Sequence, residues 1–502
     1  HDCWIVPYNG KPGDTWADKV VRWTDATRQI ASRKIENLFG NTAVSPYIRV
    51  YNTLGSRREE MVILTLPENA QSRWVSVLDV NGKPIPHQLS GDDHAELYLQ
   101  ASVSGMGYTT YRLEYGDMEQ HCKQEVVPAL DILLIETDYY SVIIDPFRGG
   151  TITSLIDKKN GNRELVEAGK CMNDLRGYFY EEGRFRHGAE NHAAVSVIDE
   201  GELFTRVRVE NQIAGYPYWQ LITFYKKDPR IDFVLHIDWE GQPGIGAYDQ
   251  GDSYEATDRS KAFYNDDYKL HVRFPFNKEV SGTVYKNAPF DVTESSLDHT
   301  LYSSWDSIKH NVILHWVDVV NVERDYGIAL FSDHTTSYLQ TDSLSLGLTV
   351  QYIGKGLWGR DYLVHEPTEL KYAILPHAGN WETGEVEQAS NQWNEPMIAQ
   401  FTTRSPDVAE VSILEVVGDN LELSSMVVDD GDLLVRFYNT SSQKVTREVI
   451  WNGLVKKIEQ VDLKGDLIRE VACTPQADGK WLTHLTIPQF GFITLRLIDF
   501  KI

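Results

Sequence analysis

The sequence predicts a mainly β protein of several domains, preceded by one long helix. Short apolar or alternating runs, separated by Gly, Pro, Asn and Asp, recur from residue 47 to the end of the chain. A chain of 502 residues is too long for one hydrophobic core. Aromatic residues, which favour strands, are abundant, with 13 Trp, 26 Tyr and 17 Phe. Together these observations indicate a β architecture for most of the chain.

The single long helix is predicted over residues 16–38. Its larger side chains recur at steps of four and three residues, which places them on one stripe of a helix surface. A lone helix with such a stripe requires a packing partner, either the β region or residues outside this chain. The stripe consists of Trp16, Val20, Trp23, Thr27, Ile30, Lys34 and Leu38.

The β region is predicted to form three sandwiches. Five short runs between residues 44 and 118 indicate a small β-sandwich, and Asn81-Gly82 reads as a hairpin turn. A longer series over residues 128–390 suits one large β-supersandwich. A third strand-rich block, residues 391–502, contains the turn signal Asp430-Gly431 and is predicted to form a C-terminal β-sandwich.

Composition excludes several classes of function. The net charge is −25, from 73 acidic and 48 basic residues, which disfavours nucleic acids and anionic membrane surfaces as partners. A neutral glycan is compatible with this charge, although the acidic surface also serves solubility. The apolar runs are shorter than the roughly 20 residues of a membrane span. The four cysteines form no C-x-x-C pair, so a Cys-based metal site is not expected.

Four stretches resemble glycoside hydrolase family 38 α-mannosidases, and they occur in the family's order. The start HDCWIVPYNG, followed by GDTWADKVVRW, is similar to the family's His-His-Asp motif before a helix, without its first His. Residues 139–145 (YYSVIID) and 149–159 (GGTITSLIDKK) resemble the first strand pair of its large β domain. Residues 315–331 resemble a Trp strand followed by a Tyr-Gly strand, and residues 372–381 (YAILPHAGNW) resemble the closing element.

The resemblance implies a fold, an activity and site residues. Residues 1–43 would be the end of a helical middle domain, and residues 128–390 a mutarotase-like supersandwich. His1 would be a zinc ligand, with Asp2 and Tyr178 contacting the mannose of an α-mannoside glycan. The segment around Tyr178 lacks the family's Ala between Gly and Tyr, so Tyr180 is the alternative.

The resemblance also implies a retaining, zinc-dependent mechanism that this chain does not complete. In the family, an upstream α/β domain supplies the nucleophile and the other zinc ligands. We therefore expect the isolated chain to be inactive, because one ligand cannot fill a tetrahedral zinc site. The sequence gives no indication of compartment or oligomeric state.

Other functions and sites are compatible with the residues alone. The aromatic content also fits a stand-alone carbohydrate-binding β protein without hydrolytic activity. His377 is interpreted as a structural residue that satisfies backbone groups, and Asn439-Thr440-Ser441 matches a glycosylation sequon. A dense run of carboxylates would be the best candidate for a self-contained glycosidase site, or else an acidic loop. This run consists of Asp249, Asp252, Glu255, Asp258, Asp266 and Asp267.

Overall fold

The computed structural model describes most of the chain, and it is mainly β as the sequence predicts. The helix α1 (Trp16–Phe39) matches the predicted helix closely. On its predicted stripe, Val20, Trp23 and Ile30 are 43%, 58% and 58% exposed, so the described part of this helix does not bury the stripe against the β region. The described residues are 16–39, 45–68, 70–71, 74–91, 95–116, 127–129, 131–246, 266–280, 282–295, 311–340, 345–354, 362–364, 366–476 and 479–501.

The first β unit packs a five-stranded sheet on a three-stranded sheet, with an apolar core between them. The two sheets run β27-β1-β6-β28, with β3 also paired to β6, and β2-β5-β4. The strands β27 and β28 come from residues 398–412, more than 280 residues beyond the others. The strands are β1 (Tyr47–Asn52), β2 (Arg58–Thr65), β3 (Trp74–Leu78), β4 (His87–Ser90), β5 (Glu96–Val103), β6 (Gly107–Gly116), β27 (Ile398–Thr402) and β28 (Glu410–Ser412).

The turn at Asn81-Gly82 forms, and a short antiparallel bridge between Leu78 and Pro84 closes it. Gly82 has a φ of +84°, and the Asp79 amide donates to the Lys83 carbonyl at 2.9 Å. The strands on either side, β3 and β4, belong to different sheets. The predicted hairpin turn is therefore confirmed over residues 77–85, but a local turn does not fix which sheet the next strand joins, and β4 pairs with β5.

The large β unit places a ten-stranded antiparallel sheet over a four-stranded and a six-stranded sheet. Side chains from the facing sides of these sheets form the largest apolar core of the described chain. Its first strands are β7 (Val127–Pro128), β8 (Leu133–Glu136), β9 (Tyr140–Asp145), β10 (Thr151–Asp157), β11 (Arg163–Glu164), β12 (Asp174–Phe179), β13 (Arg184–His187), β14 (Ala194–Glu200), β15 (Phe204–Ile213), β16 (Tyr216–Tyr225) and β17 (Ile231–Ile237). The others are β18 (Leu270–Phe274), β19 (Gly282–Ala288), β20 (Asp291–Ser295), β21 (Val312–Ile313), β22 (Trp316–Asn321), β23 (Tyr326–Ser332), β24 (Thr336–Gln340), β25 (Leu346–Gln351) and β26 (Thr368–Ala378).

The sheet order of the large unit brings distant segments together. The ten strands run β20-β19-β22-β23-β26-β17-β16-β15-β14-β7, the six run β13-β12-β18-β25-β24-β21, and the four run β11-β10-β9-β8. The helix α2 (Val386–Asn394) covers part of the ten-stranded sheet, where a smaller apolar cluster forms around Trp316, Phe331 and Trp381.

The last β unit has a four-stranded and a five-stranded sheet around a core of their own. Its hairpin at Asp430-Gly431 is confirmed, since Asp429 pairs with Asp432 and both turn residues have positive φ, 47° and 89°. No described helix is long and apolar enough to cross a membrane. The strands are β29 (Leu414–Val417), β30 (Leu421–Asp429), β31 (Asp432–Asn439), β32 (Val445–Trp451), β33 (Lys457–Val461), β34 (Leu467–Val471), β35 (Thr474–Pro475), β36 (Trp481–Ile487) and β37 (Phe492–Ile498).

The glycine pair at 149–150 turns the chain between β9 and β10. Both residues have positive φ, 72° and 67°. A Cβ at Gly149 would lie 2.5 Å from the Gly188 carbonyl oxygen, whereas a Cβ at Gly161, where φ is +76°, would meet open space. Of Gly149 and Gly161, only Gly149 therefore combines left-handed backbone with a steric barrier.

We expect Gly149→Ala to lower the free energy of unfolding by roughly 2–4 kcal/mol, because backbone strain and overlap with backbone add. Gly161→Ala, the matched control, carries only the strain and should cost about 1–2 kcal/mol. Urea denaturation of the two variants checks this expectation. Equal losses of unfolding free energy in the two variants would contradict the prediction, because they would show that the contact with Gly188 adds no destabilisation.

Candidate functional site

Tyr178, one of the two residues predicted to contact the sugar, lies within the described part of the chain and belongs to an aromatic cluster. The cluster joins three elements: Tyr178 from β12, Phe185 from β13 and Tyr268 from the short helical turn Asp266–Tyr268. The Tyr178 ring centroid lies 4.4 Å from that of Tyr268 and 5.2 Å from that of Phe185. These rings bury one another's edges and faces, which holds Tyr178 in place.

The neighbouring tyrosine Tyr180 has a different environment. The strand β12 ends at Phe179, whose side chain is buried on the opposite face of the sheet. Tyr180 follows the strand, and its amide donates to the Gly244 carbonyl at 3.0 Å. A Cβ at Gly244 would lie 2.2 Å from the Tyr180 ring, so the ring packs directly on that glycine. The rings of Tyr178 and Tyr180 therefore contact different neighbours.

Charged residues surround the aromatic cluster. The Arg176 guanidinium stacks over the Phe185 ring at 3.8 Å and donates to the Asp267 carboxylate at 2.9 Å. Arg273 lies 3.8 Å from the same carboxylate. The edge of the six-stranded sheet thus combines aromatic surface with paired charges, the kinds of group that contact a sugar ring and its hydroxyls.

His271 lies beside this cluster, fully buried between strands. Arg176 and His271 are cross-strand partners in the register of β12 and β18. Burial, followed by the nearby charges of Arg273 and Lys269, lowers the pKa of His271 well below its usual 6.5. The imidazole is therefore neutral near pH 7, although a hydrogen bond with the Lys269 backbone partly opposes the lowering of its pKa.

A second polar network lies on β13 and the loop before it. Arg186 donates to Glu182 at 2.7 Å and to Glu190 at 2.9 Å. His187 Nδ1 lies 3.0 Å from the Asp174 carboxylate, which also accepts from the Ala189 amide. These contacts order the hairpin that carries Phe185.

The other predicted site residues are placed as follows. His1 and Asp2 lie outside the described residues, as do Asp249, Asp252, Glu255 and Asp258. Of the acidic run, Asp266 and Asp267 are described, and each pairs with a cation: Asp266 with Lys269 at 2.7 Å and Asp267 with Arg176. Among the described residues no group of three or more His, Cys, Asp or Glu side chains is arranged to hold a metal ion.

His377 has the structural environment that the sequence predicts. It is buried, with Nε2 3.0 Å from Asp318 Oδ1 and Nδ1 3.2 Å from the Ala378 carbonyl oxygen. The sequon residue Asn439 is fully buried, and its amide donates to the Gln443 and Pro488 carbonyls at 2.8 and 2.7 Å. In the folded protein Asn439 is therefore inaccessible to glycosylation.

Sequence reasoning missed Phe185 and Tyr268 as companions of Tyr178. Phe185 lies in a charged stretch that follows Tyr180, and Tyr268 directly follows the acidic run. The position of Tyr268 directly after Asp266 and Asp267 could have marked it as part of a candidate site, because these two carboxylates were themselves candidates. No feature of the local sequence, however, indicates that this turn packs on β12.

Comparison with known protein families finds a match to the central part of the chain. Residues 135–349 match the family described as "Glycosyl hydrolases family 38 C-terminal domain", and this match includes Tyr178. No curated protein sequence matches the chain.

Two solved structures from Enterococcus faecalis share the fold. One is an α-mannosidase, with a TM-score of 0.61 and 14% identity, and the match covers 96% of this chain and 59% of that chain. The other is a protein in glycosyl hydrolase family 38, with a TM-score of 0.59 and 13% identity, covering 96% of this chain and 61% of that one. Residues 135–349 therefore match the family 38 C-terminal domain, and the fold of the whole chain is consistent with the C-terminal portion of such an enzyme.

Proposed function

We propose that the chain is part of a retaining, zinc-dependent α-mannosidase that hydrolyses α-mannosides of glycans. The match of residues 135–349 to the family 38 C-terminal domain carries this proposal. The fold shared with an α-mannosidase of which this chain spans only 59% agrees with it.

In this proposal the chain supplies part of the sugar site and one zinc ligand. His1 would bind zinc through its imidazole, Asp2 would accept a hydrogen bond from a mannose hydroxyl, and Tyr178 would contact the sugar. The nucleophile, the general acid and the other ligands would come from an α/β domain that precedes His1. Bound zinc would hold the sugar's hydroxyls.

Tyr178 is suited to a positioning role because its ring is fixed on two sides. Its contacts with Phe185 and Tyr268 restrict the side chain before substrate arrives, so little rotamer entropy is lost on binding. Its hydroxyl can both donate and accept a hydrogen bond.

The proposal is tested with the isolated chain and with a polypeptide that also contains the preceding α/β domain. We expect no turnover of an aryl α-mannoside by the isolated chain, and turnover with retained anomeric configuration by the longer polypeptide. His1→Ala in the longer polypeptide should reduce kcat/KM by about 100-fold or more and remove bound zinc.

The matched control is His334→Ala, which removes a histidine whose side chain is 47% exposed. It should leave zinc content and turnover unchanged. Mannosidase activity of the isolated chain, or full zinc occupancy in the His1 variant, would contradict the proposal.

A further inference from the structure

A cavity of about 390 Å³ lies between α2, the turn at residues 157–160 and the turn at residues 228–230. Tyr178 does not line it, and neither do the other members of the aromatic cluster. Its volume is within the range of about 300–1,000 Å³ typical of small-molecule sites. The cavity is therefore a separate candidate binding site.

The wall at 157–160 is held rigidly. The buried Asp157 carboxylate accepts hydrogen bonds from the Tyr326 hydroxyl and the Asn160 amide, both at 2.7 Å, and from the Lys159 backbone amide at 2.9 Å. His377 lines another part of the cavity and is fixed by Asp318. These bonds shape the cavity before a ligand binds, which reduces the entropy cost of binding.

Several polar groups of the lining have unused hydrogen-bonding capacity. Within the described part of the chain, no hydrogen bond is formed by the Tyr139 hydroxyl, the Lys159 ammonium or the Gln388 amide, although Lys159 lies 5.5 Å from the Tyr139 ring. The Asp228 carboxylate uses one oxygen to accept from the Arg230 backbone amide at 2.8 Å. Donors and acceptors therefore both face the cavity.

The remaining lining is apolar and aromatic. Phe331, Leu375 and Ala389 contribute side chains from β23, β26 and α2, and the Tyr139 ring lines another side. A pyranose ring complements a lining that combines polar groups with apolar and aromatic surface, because its hydroxyls both donate and accept hydrogen bonds and its C–H faces are apolar.

The charges of the lining disfavour an anionic ligand. Asp157, Asp228 and Glu385 are balanced only by Lys159 and Arg230, apart from the His377 that pairs with Asp318. A phosphate or sulfate group would therefore face nearby carboxylates.

We propose that this cavity binds one pyranose ring of a neutral glycan. The site is distinct from the sugar contacts proposed for Asp2 and Tyr178. Binding of a sugar in this cavity requires neither zinc nor hydrolysis. The proposal is therefore independent of the proposed enzymatic function.

The test is saturation-transfer NMR and titration of the whole chain with methyl α-D-mannopyranoside and methyl α-D-glucopyranoside as probes. We expect the wild-type chain to bind at least one probe. Lys159→Ala and Gln388→Ala should each weaken binding by about 3–10-fold, and the double variant by more than about 10-fold, through lost hydrogen bonds.

Two substitutions of the same kinds serve as controls, Lys444→Ala and Gln212→Ala, at exposed positions outside the cavity. Both should bind the probes like the wild type, and circular dichroism of all variants reports folding. Absence of binding to the wild-type chain would overturn the proposal. Binding that the double variant retains, or that Tyr178→Ala alone abolishes, would also overturn it.

Discussion

Replacing Asp318 by Ala is expected to lower the free energy of unfolding at pH 6 by about 3–5 kcal/mol. Asp318 is fully buried, and its Oδ1 lies 3.0 Å from His377 Nε2, whose side chain is 5% exposed. Without Asp318 the imidazole must stay buried without a counter-charge or lose its proton. Both outcomes cost free energy that the wild-type pair avoids.

The size of this loss should depend on pH in a defined direction. Burial by itself lowers the pKa of His377, but the Asp318 carboxylate and the Ala378 carbonyl outweigh it, so the pKa is raised above 6.5. The stabilisation is therefore fully present below pH 6.5, the unfolded value, and is lost as the pH rises through the folded pKa. Urea denaturation of both proteins at pH 6 and pH 9 should show a smaller difference at pH 9.

The matched control is Asp238→Ala, which removes a partner of His236 at 3.1 Å on the surface, where the aspartate side chain is 55% exposed. Solvent screens this pair, so a loss below about 1 kcal/mol is expected. A loss for Asp318→Ala that equals the control, or that grows from pH 6 to pH 9, would contradict the charged-pair interpretation.

Replacing Arg58 by Met is expected to cost about 3–5 kcal/mol at pH 8, because the change leaves Glu60 without its cation. The Arg58 side chain is fully buried at the start of β2, ion-paired with Glu60. Its guanidinium also donates to the Gln392 carbonyl at 2.8 Å, at the end of α2. The substitution therefore breaks both the ion pair and the contact between the first β unit and α2.

The neighbouring Arg57 provides the control for this prediction. Its side chain is 46% exposed and lies 3.0 Å from Glu410, so Arg57→Met should cost less than about 1 kcal/mol. Thermal and urea unfolding of the two variants separate a buried pair from an exposed one at adjacent positions. Equal losses of unfolding free energy in Arg58→Met and Arg57→Met would contradict the prediction, because the buried ion pair would then contribute no more than the exposed one.

The defect of the Arg58 variant should shrink at low pH. Burial raises the pKa of Glu60 above 4.5 even with Arg58 present, and Arg58 opposes that rise. In the variant the folded pKa rises further, so the folded state holds a proton that the unfolded state releases above pH 4.5. Stability of the variant is thus regained as the pH falls through the folded pKa, and the loss at pH 5 should be smaller than at pH 8.

Much of the fold could be predicted from local pattern. Strand β17 alternates buried and half-buried side chains along Ile231–Ile237, and the sequence shows that alternation directly. The turn at Asp430-Gly431 was predictable because a two-residue turn with positive φ favours Asp and Gly. The pairing of β27 with β1 was not, since no local signal specifies a partner about 350 residues away.

The candidate site was predictable only in part. Tyr178 was predicted from the segment around it, and in the structure its ring belongs to an aromatic cluster at the edge of the six-stranded sheet. Its companion Tyr268 lies 90 residues away, and the two meet because β12 pairs with β18, which follows the turn that carries Tyr268. Residue spacing does not encode this juxtaposition.

By itself the sequence determined the β class, the long helix, the resemblance to family 38 and the sharp turns, because each depends on residues that are neighbours in the chain. The tertiary structure alone decided that Arg58 and Asp318 are buried with their partners, that Asn439 is inaccessible, and that six segments line one cavity. The physical reason is that burial and ion pairing arise from strand register and sheet packing. Both are properties of surfaces brought together by folding, which a linear pattern of residue types does not specify.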